Sequence, residues 1–516
     1  MGNKTRIEDS LKKRYFYKLG TKVVGVPIAI VTASIVPRAL GVNAYGNFNF
    51  ITDFFNRLVG FVDASTSNAF YHKLSQRPKE SALISFYWGY FSIISVIMVF
   101  FVATVFMINK QGSIWINQES RFIWLGLLWG LLSWLNQIVY KIVDAYGLTV
   151  KGELAVIKQR LFALCFLGVL FILGKVDLLI FFVYHFFMFF LMFFLWWQVL
   201  KKSDIRLFPL GHLNKSLIKK YSSEFYQFSM PLFIGGILTL PLGFADRWLL
   251  QMFGGSVEQG LYSLAFKVGS ICLIFTSSLV PLFHREISKA YGDNRHDEMR
   301  RLFLRFVPML YSVAVCISAF FFFQSDKVSI IIGGESFKGA VIPMSIMSLY
   351  PIHQTFGQLN SAVYFAMAQT RLYRNIGISI MVIGLLVTYL LLAPKEQLGL
   401  NLGSTGLALK MVLVQIVGQN ILLWFNTRSL KISFIKMLSH QFISVLIIGA
   451  AAGLSTYISN NIVDNIVLSL ISAGSLYMAF LLVIIYLFPS LFSIKRGEIV
   501  QNIRLIKQRF IREIKK

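Results

Sequence analysis

The sequence predicts an all-α polytopic membrane protein of about fourteen transmembrane helices, arranged as two six-helix lobes followed by two further helices. Three observations lead there. Mainly apolar stretches of ~20 or more residues, the length that crosses a bilayer core, recur along the 516 residues. The 50 Lys and Arg residues alternate between rich and poor gaps separating those stretches. The two halves of the chain also echo one another.

The spans fall at about 19–37, 46–70, 82–107, 122–144, 155–174, 178–198, 224–246, 259–283, 303–323, 339–368, 373–393, 400–426, 438–459 and 465–490. One set of alternate gaps contains 37 of the 50 basic residues. It runs from Lys4, Arg6, Lys12, Lys13, Arg14 and Lys18 at the N-terminus to Lys495–Lys516 at the other end. The opposite set holds 8, among them Arg38, Lys110, Arg247 and Lys338, and 5 lie inside spans. Basic residues gather in cytoplasmic loops, so both termini are expected in the cytoplasm. The weakest span, Gly339 to Gln369, carries Pro343, Pro351, His353, Gln354, Gln358 and Asn360. Deleting it would invert everything downstream and place the basic tail outside. It is therefore kept, as a helix facing protein or water instead of lipid.

Composition agrees. Hydrophobic residues make up 56% and charged residues 14%, against ~25% charged in a soluble domain. A net charge of +27 would suggest nucleic acid in a soluble protein, but cytoplasmic loops beside anionic headgroups account for it here. Cys165, Cys272 and Cys316 all fall in spans, which implies neither a disulfide framework nor a metal cluster. The first apolar stretch runs past Arg38 without a small-residue cleavage site and reads as a retained helix.

The domain reading places an N-terminal lobe at 1–200, a second lobe at 201–432, and two additional spans with a basic tail at 433–516. Asn68–Ser75 and Val280–Ser288 each set an aromatic residue, a histidine and a base at the inner mouth of the second helix of a lobe. Arg38 follows span one and Arg247 follows span seven. Such matches suit a parallel repeat about an axis along the membrane normal. Gly25 with Pro27, and Pro231, Gly235, Gly236 and Pro241, mark spans one and seven as interrupted, the pattern of a transport site or of a packing kink. Ile499, Ile503, Ile506, Phe510 and Ile514 would give the tail one apolar face for the membrane surface.

No enzyme signature is present: neither a phosphate-binding Gly-rich loop with Lys, nor paired His at metal spacing, nor a nucleophile elbow. No cofactor or metal is expected. The unusual residues are the bases inside spans, Lys22, Arg57, Lys141, Lys267 and Lys410. Each costs roughly 2.5–3.5 kcal/mol at a helix centre, so such residues turn toward a bundle interior or a watery cavity. Ser263, Lys267, Ser270 and Ser277 share one side of span eight. Asp53, Asp63 and Asp246 are acids in or near spans. A desolvated carboxylate there could bind a coupling ion, whereas pairing of Asp53 with Arg57 would oppose protonation; both readings stay open.

Pro37 to Phe48, Pro-Arg-Ala-Leu-Gly-Val-Asn-Ala-Tyr-Gly-Asn-Phe, resembles the R-x-LG-x3-YG-x-F element of the polysaccharide-exporter branch of the multidrug/oligosaccharidyl-lipid/polysaccharide (MATE-like) superfamily. Asp246, Arg247, Gly254, Gly260, Tyr262 and Lys267 resemble that branch's second signature. The resemblance implies a flippase for undecaprenyl-pyrophosphate-linked oligosaccharides of O-antigen, capsule or exopolysaccharide in the bacterial cytoplasmic membrane, working without catalysis by rocking two lobes around a cationic cavity. Lys22, Arg38, Arg57, Arg247, Lys267 and Lys410 are the expected cavity cations, and Asp53, Asp63 and Asp246 the expected coupling acids. Its partners would be the lipid-linked oligosaccharide, membrane lipids and the polymerase machinery, with no nucleic acid. A small-molecule or cation antiporter and a membrane polymerase are the alternatives. The antiporter would want an acidic cavity, and the polymerase a long outer loop with clustered Arg or carboxylates.

Overall fold

The computed structural model describes residues 11–494 apart from residues 64, 79, 210–212, 272 and 274–278. The basic tail of 495–516, His212, Ser277 and the side chain of Lys22 lie outside the described residues. Two compact units appear, residues 1–260 and 261–516.

The first unit contains α1 (Leu11–Asp63), α2 (Thr66–Gln76), α3 (Ser81–Met107), α4 (Gln111–Ile114), α5 (Ser120–Ala145), α6 (Thr149–Ile172), α7 (Leu178–Lys201) and most of α8 (Lys215–Ile271). α1 packs along α5 and α6, and α7 closes against both of them. The second contains α9 (Val280–Gly292), α10 (His296–Phe323), α11 (Ser325–Gly333), α12 (Val341–Ser348), α13 (Tyr350–Ala366), α14 (Thr370–Leu392), α15 (Gly403–Ser429), α16 (Phe434–Ile462) and α17 (Ile466–Leu487). There α16 lies on α10 and α17, and their apolar faces join those of α9 and α13 through Phe283, Phe303, Tyr311, Phe356, Ile448 and Tyr477. Phe100 is 70% exposed and Ile172 83% exposed, with Phe190, Leu386, Phe442 and Leu482 also facing outward. A belt of this kind is stable only against lipid. The chain is a multi-pass membrane protein.

Among the described residues, ten helices are long and apolar enough to span by length and composition. The ten relate to the expected fourteen through the breaks in the chain. Pro27–Asp63 is one helix of 37 residues, too long at 1.5 Å per residue for a core of about 30 Å. Its break at Gly41 separates spans one and two. Spans seven and eight share α8 and the stretch beyond it, and span ten is α12 and α13 joined at Leu349. The polar content of span ten turns inward: His353 and Asn360 are buried, and Asn360 Nδ2 donates to Gln419 O at 3.1 Å.

One expectation changes. The helices run on through Pro27 and Pro241, and the non-helical residues of α1 and α8 are Gly41 (φ 73°, ψ 169°) and Gly255 (φ 70°, ψ −167°). A proline forfeits one hydrogen bond and kinks a helix, but in lipid an unbroken helix satisfies the remaining backbone groups. Only glycine adopts the left-handed conformation at the breaks without strain. By contact the chain divides at residue 260, since α8 up to Gly260 packs on α1.

Gly41 and Gly255 each stand five residues before a second glycine, Gly46 and Gly260. The two segments meet reciprocally. A Cβ on Gly46 would lie 1.8 Å from Ser256 O, and one on Gly260 would lie 2.2 Å from Val42 O. Buried Gln251 secures the seam, its Nε2 donating to Ile116 O and Ser256 Oγ at 3.1 Å each. Gln118 Nε2 donates to Asn47 Oδ1 at 2.9 Å. Gly46→Ala and Gly260→Ala must each move backbone, at about 1–3 kcal/mol, and should lower the melting temperature of the purified protein. Gly89→Ala, which meets open space, should leave it unchanged; equal melting of all three would remove the seam.

Candidate functional site

The expected site residues divide by environment. Arg57 and Asp53 lie one turn apart on α1, with Arg57 Nε 2.8 Å from Asp53 Oδ2 and about a third of each side chain exposed. Arg57 Nη1 also lies 3.0 Å from the position a Cβ on Gly243 of α8 would take. Phe54 and Phe50 both pack on Phe244 beside it, at 5.1 and 6.0 Å between ring centroids. A cation therefore stands at depth in the groove between α1 and α8, with one of its nitrogens engaged by Asp53. An i,i+4 pair this accessible contributes only a few tenths of a kcal/mol to stability, so holding the fold together is a weak reason for its presence.

Arg247 serves the seam. Its Nη1 donates to Gln259 Oε1 at 3.0 Å, and Gln259 Nε2 donates back to Arg247 O. Arg38 is exposed, and Asp246 is half-buried. In the second unit, Lys267 is half-buried and has neither an ion pair nor a hydrogen bond among the described residues. Ser263 beside it is buried, and Ser270 Oγ donates to Phe266 O at 2.7 Å. Lys410 is buried, its Nζ 3.6 Å from where a Cβ on Gly384 would sit. Arg57 is thus brought together with Asp53, and Arg247 with Gln259. The seam also refines the repeat: Asp53 and Lys267 each stand twelve residues past their break, so Lys267 corresponds to Asp53, one turn from Arg57.

Asp63 is a junction. Its carboxylate accepts from Ser67 Oγ at 2.7 Å, Ser67 N and Tyr87 OH at 3.1 Å, and Trp134 Nε1 and Thr66 Oγ1 at 3.2 Å. These donors bind the start of α2 to α3 and α5. Lys141, one of the bases inside spans, donates to Ser67 Oγ at 2.5 Å and Asn68 Oδ1 at 3.0 Å beside that junction.

Sequence reasoning missed an ion-pair network where α2 ends and α8 begins. Arg77 Nη2 is 2.5 Å from Glu224 Oε2 and its Nη1 is 3.1 Å from Glu80 Oε2; Lys73 lies 3.5 Å from Glu224 and Lys220 3.6 Å from Glu80. Partial burial acts against the Arg77 charge, but the hydrogen bond and charge of Glu224 outweigh it and raise its pKa. The opposite charges belong to loops far apart in sequence, so only a contact between the loops could have signalled it. A second omission is Lys327, a buried lysine whose Nζ donates to Asn460 Oδ1 at 2.6 Å and Ser469 Oγ at 2.8 Å, tying α11 to α16 and α17. Burial lowers its pKa, with Asp326 opposing.

Solved structures share this fold. A lipid II flippase, MurJ, in an inward closed conformation matches with a TM-score of 0.64 at 13% identity, covering 92% of this chain and 98% of that one. An inward-facing multidrug-resistance MATE family transporter matches at 0.55 and 13%, covering 80% and 95%. A superfamily transporter from Pyrococcus furiosus, described as having a binding pocket of reversed polarity, matches at 0.51 and 12%, covering 82% and 96%. Among curated proteins none matches. The family profile of polysaccharide biosynthesis proteins matches residues 11–285, more than half of the chain, and the chain belongs to that family. Its fold is the one those flippase and MATE transporter structures share.

Loss of a charge-assisted hydrogen bond costs roughly 1.5–3 kcal/mol. If Arg57 holds an anionic substrate, Arg57→Ala should lower export about ten- to a hundredfold at normal membrane levels, with Arg57→Lys retaining part of it. Combining Arg57→Ala with Asp53→Asn should restore nothing. Recovery of export in the double variant would reduce Arg57 to a partner for Asp53.

Proposed function

We propose that this protein flips undecaprenyl-pyrophosphate-linked oligosaccharides across the bacterial cytoplasmic membrane, for assembly of O-antigen, capsule or a similar polymer, without chemical turnover. The observation that carries the reading is the pair of accessible cations at depth: Arg57, engaged by Asp53 through one nitrogen, and Lys267, with no carboxylate partner among the described residues. A pyrophosphate-linked sugar presents an anion and many hydroxyls, so its head needs a basic, watery path while its tail stays in lipid. An exporter of cations would be expected to line its path with acids. Family membership points to the same class of substrate.

An apolar groove supports the lipid part of this reading. On the second unit a groove of about 610 Å³ is lined by Val315, Ala319, Phe322, Leu349, Val445 and Tyr457 among others, and Gly449 on its floor meets nothing within 4 Å. Apolar walls of this kind suit a polyprenyl chain.

In this reading, fourteen spans form two six-helix lobes and two additional helices, both termini are cytoplasmic, and the lobes rock about Arg57, Lys267, Arg38, Arg247, Lys410 and Lys22. The Gly46–Gly260 seam marks one end of the α1–α8 contact and the Arg77–Glu224 network the other, so alternating access is the parting of one while the other holds. Asp53 and Asp246 are assigned to ion coupling ahead of Asp63, whose carboxylate already accepts five hydrogen bonds. The polymerase machinery would receive the flipped unit. A strain lacking the protein should accumulate undecaprenyl-linked repeat units on the cytoplasmic face and lose surface polymer. Normal polymer accompanied by altered drug resistance would move the assignment to a small-molecule antiporter.

A further inference from the structure

Within the first unit, α5, α6 and α7 line a half-open cavity of about 570 Å³, distinct from the Arg57 groove and the glycine seam. Its size lies within the roughly 300–1,000 Å³ of small-molecule sites. One wall is polar, formed by Ser133, Asn136 and Gln137 of α5 and Gln159 of α6. α7 contributes Met188, Phe189, Met192 and Trp196 with Tyr184 and His185, whose Nδ1 is held 3.0 Å from Phe181 O.

Asn136 is 6% exposed; its Nδ2 donates to Leu132 O at 2.9 Å, while its Oδ1 accepts from no group among the described residues. An orphaned buried acceptor costs about 1–3 kcal/mol, which a ligand donor would recover. Gln137 and Gln159 make no protein hydrogen bond among the described residues. No carboxylate lines the cavity. Glu153 accepts the hydroxyl of the lining Tyr140 at 3.0 Å, and the ammonium of Lys141 is engaged by Ser67 and Asn68. The cavity therefore selects neither cations nor strong anions. Carboxamides on one side match hydroxyls, which both donate and accept. The aromatic rings of α7 match an apolar C–H face, and the two methionines adapt to its outline.

We propose that this cavity docks one uncharged sugar ring of the translocated glycan, an inference that rests on the flippase reading and adds a recognition site to it. The site would hold the glycan by its hydroxyls in the first unit while the pyrophosphate is held elsewhere, making the sugar's stereochemistry a determinant of what is carried.

The test places a photo-reactive benzoylphenylalanine in the full-length protein in cells at Phe189 on the aromatic wall, at Phe54 beside Arg57, or at Phe190, which is 59% exposed toward lipid. After irradiation the protein is probed for attached carbohydrate. The expected result is a carbohydrate adduct at Phe189 and none at Phe190. The Phe189 adduct should fall about tenfold when Asn136→Leu and Gln159→Leu are introduced together. Should that pair fail to accumulate, Gln137→Ala on the open side of the cavity should weaken the adduct instead. An adduct at Phe54 without one at Phe189 overturns the docking site and leaves the flippase standing, while absence at both overturns the two together. Equal labelling of Phe189 and Phe190, or labelling indifferent to the amides, shows passage or lipid contact and overturns recognition.

Discussion

The reciprocal contact of Gly46 with Ser256 and of Gly260 with Val42 is the constraint on which the first unit depends. Two backbones approach so closely that a methyl group on either glycine would overlap a carbonyl oxygen. Backbone cannot move aside as a side chain can, so the seam fixes the register of α8 against α1. That register places Phe244 on Phe50 and Phe54 and sets Gly243 under Arg57. The breaks at Gly41 and Gly255 on either side of the seam use the same positive-φ conformation, which glycine adopts without strain.

Charges inside a membrane protein are tolerated where their environment answers them, and this chain answers them in different ways. Asp63 is saturated with donors and binds three helices together. Lys327 rests on neutral oxygens of the last two helices. The Arg77, Glu224, Glu80 and Lys220 network lies toward the helix ends, where salt can weaken it. Arg57 and Lys267 differ from all of these. Each stays partly accessible at depth, an arrangement that structure alone does not require and that an anionic passenger would use.

Much of this was legible in the sequence. Apolar length and the alternation of basic residues identify the spans, since both follow from the bilayer itself. The Pro37–Phe48 motif contains Gly41 and Gly46, and so carries the seam before any coordinate is known. What misled was local chemistry that the fold overrides. Pro27 and Pro241 look like helix ends, yet a helix in lipid gains by continuing through them. The donors that surround Asp63 could not be read from the sequence, because they come from residues as distant as Trp134. The cavity on α5, α6 and α7 was invisible, because Asn136, Gln137 and Gln159 are ordinary amides until three helices turn them onto one space. The correspondence of Lys267 with Asp53 needed the seam, since only the positions of Gly41 and Gly255 align the two segments.

The central claim, movement of a lipid-linked glycan without chemistry, is most directly tested with purified full-length protein in sealed vesicles. A fluorescent short-chain isoprenyl pyrophosphate bearing an oligosaccharide is placed in both leaflets, and the fraction protected from an added membrane-impermeant quencher is followed over time. The account predicts that protection is lost progressively as the inner pool exchanges outward, far more slowly in vesicles carrying Arg57→Ala protein, with the lipid recovered chemically intact. Protection that persists as in protein-free vesicles, or recovery of a cleaved or extended glycan, would contradict it.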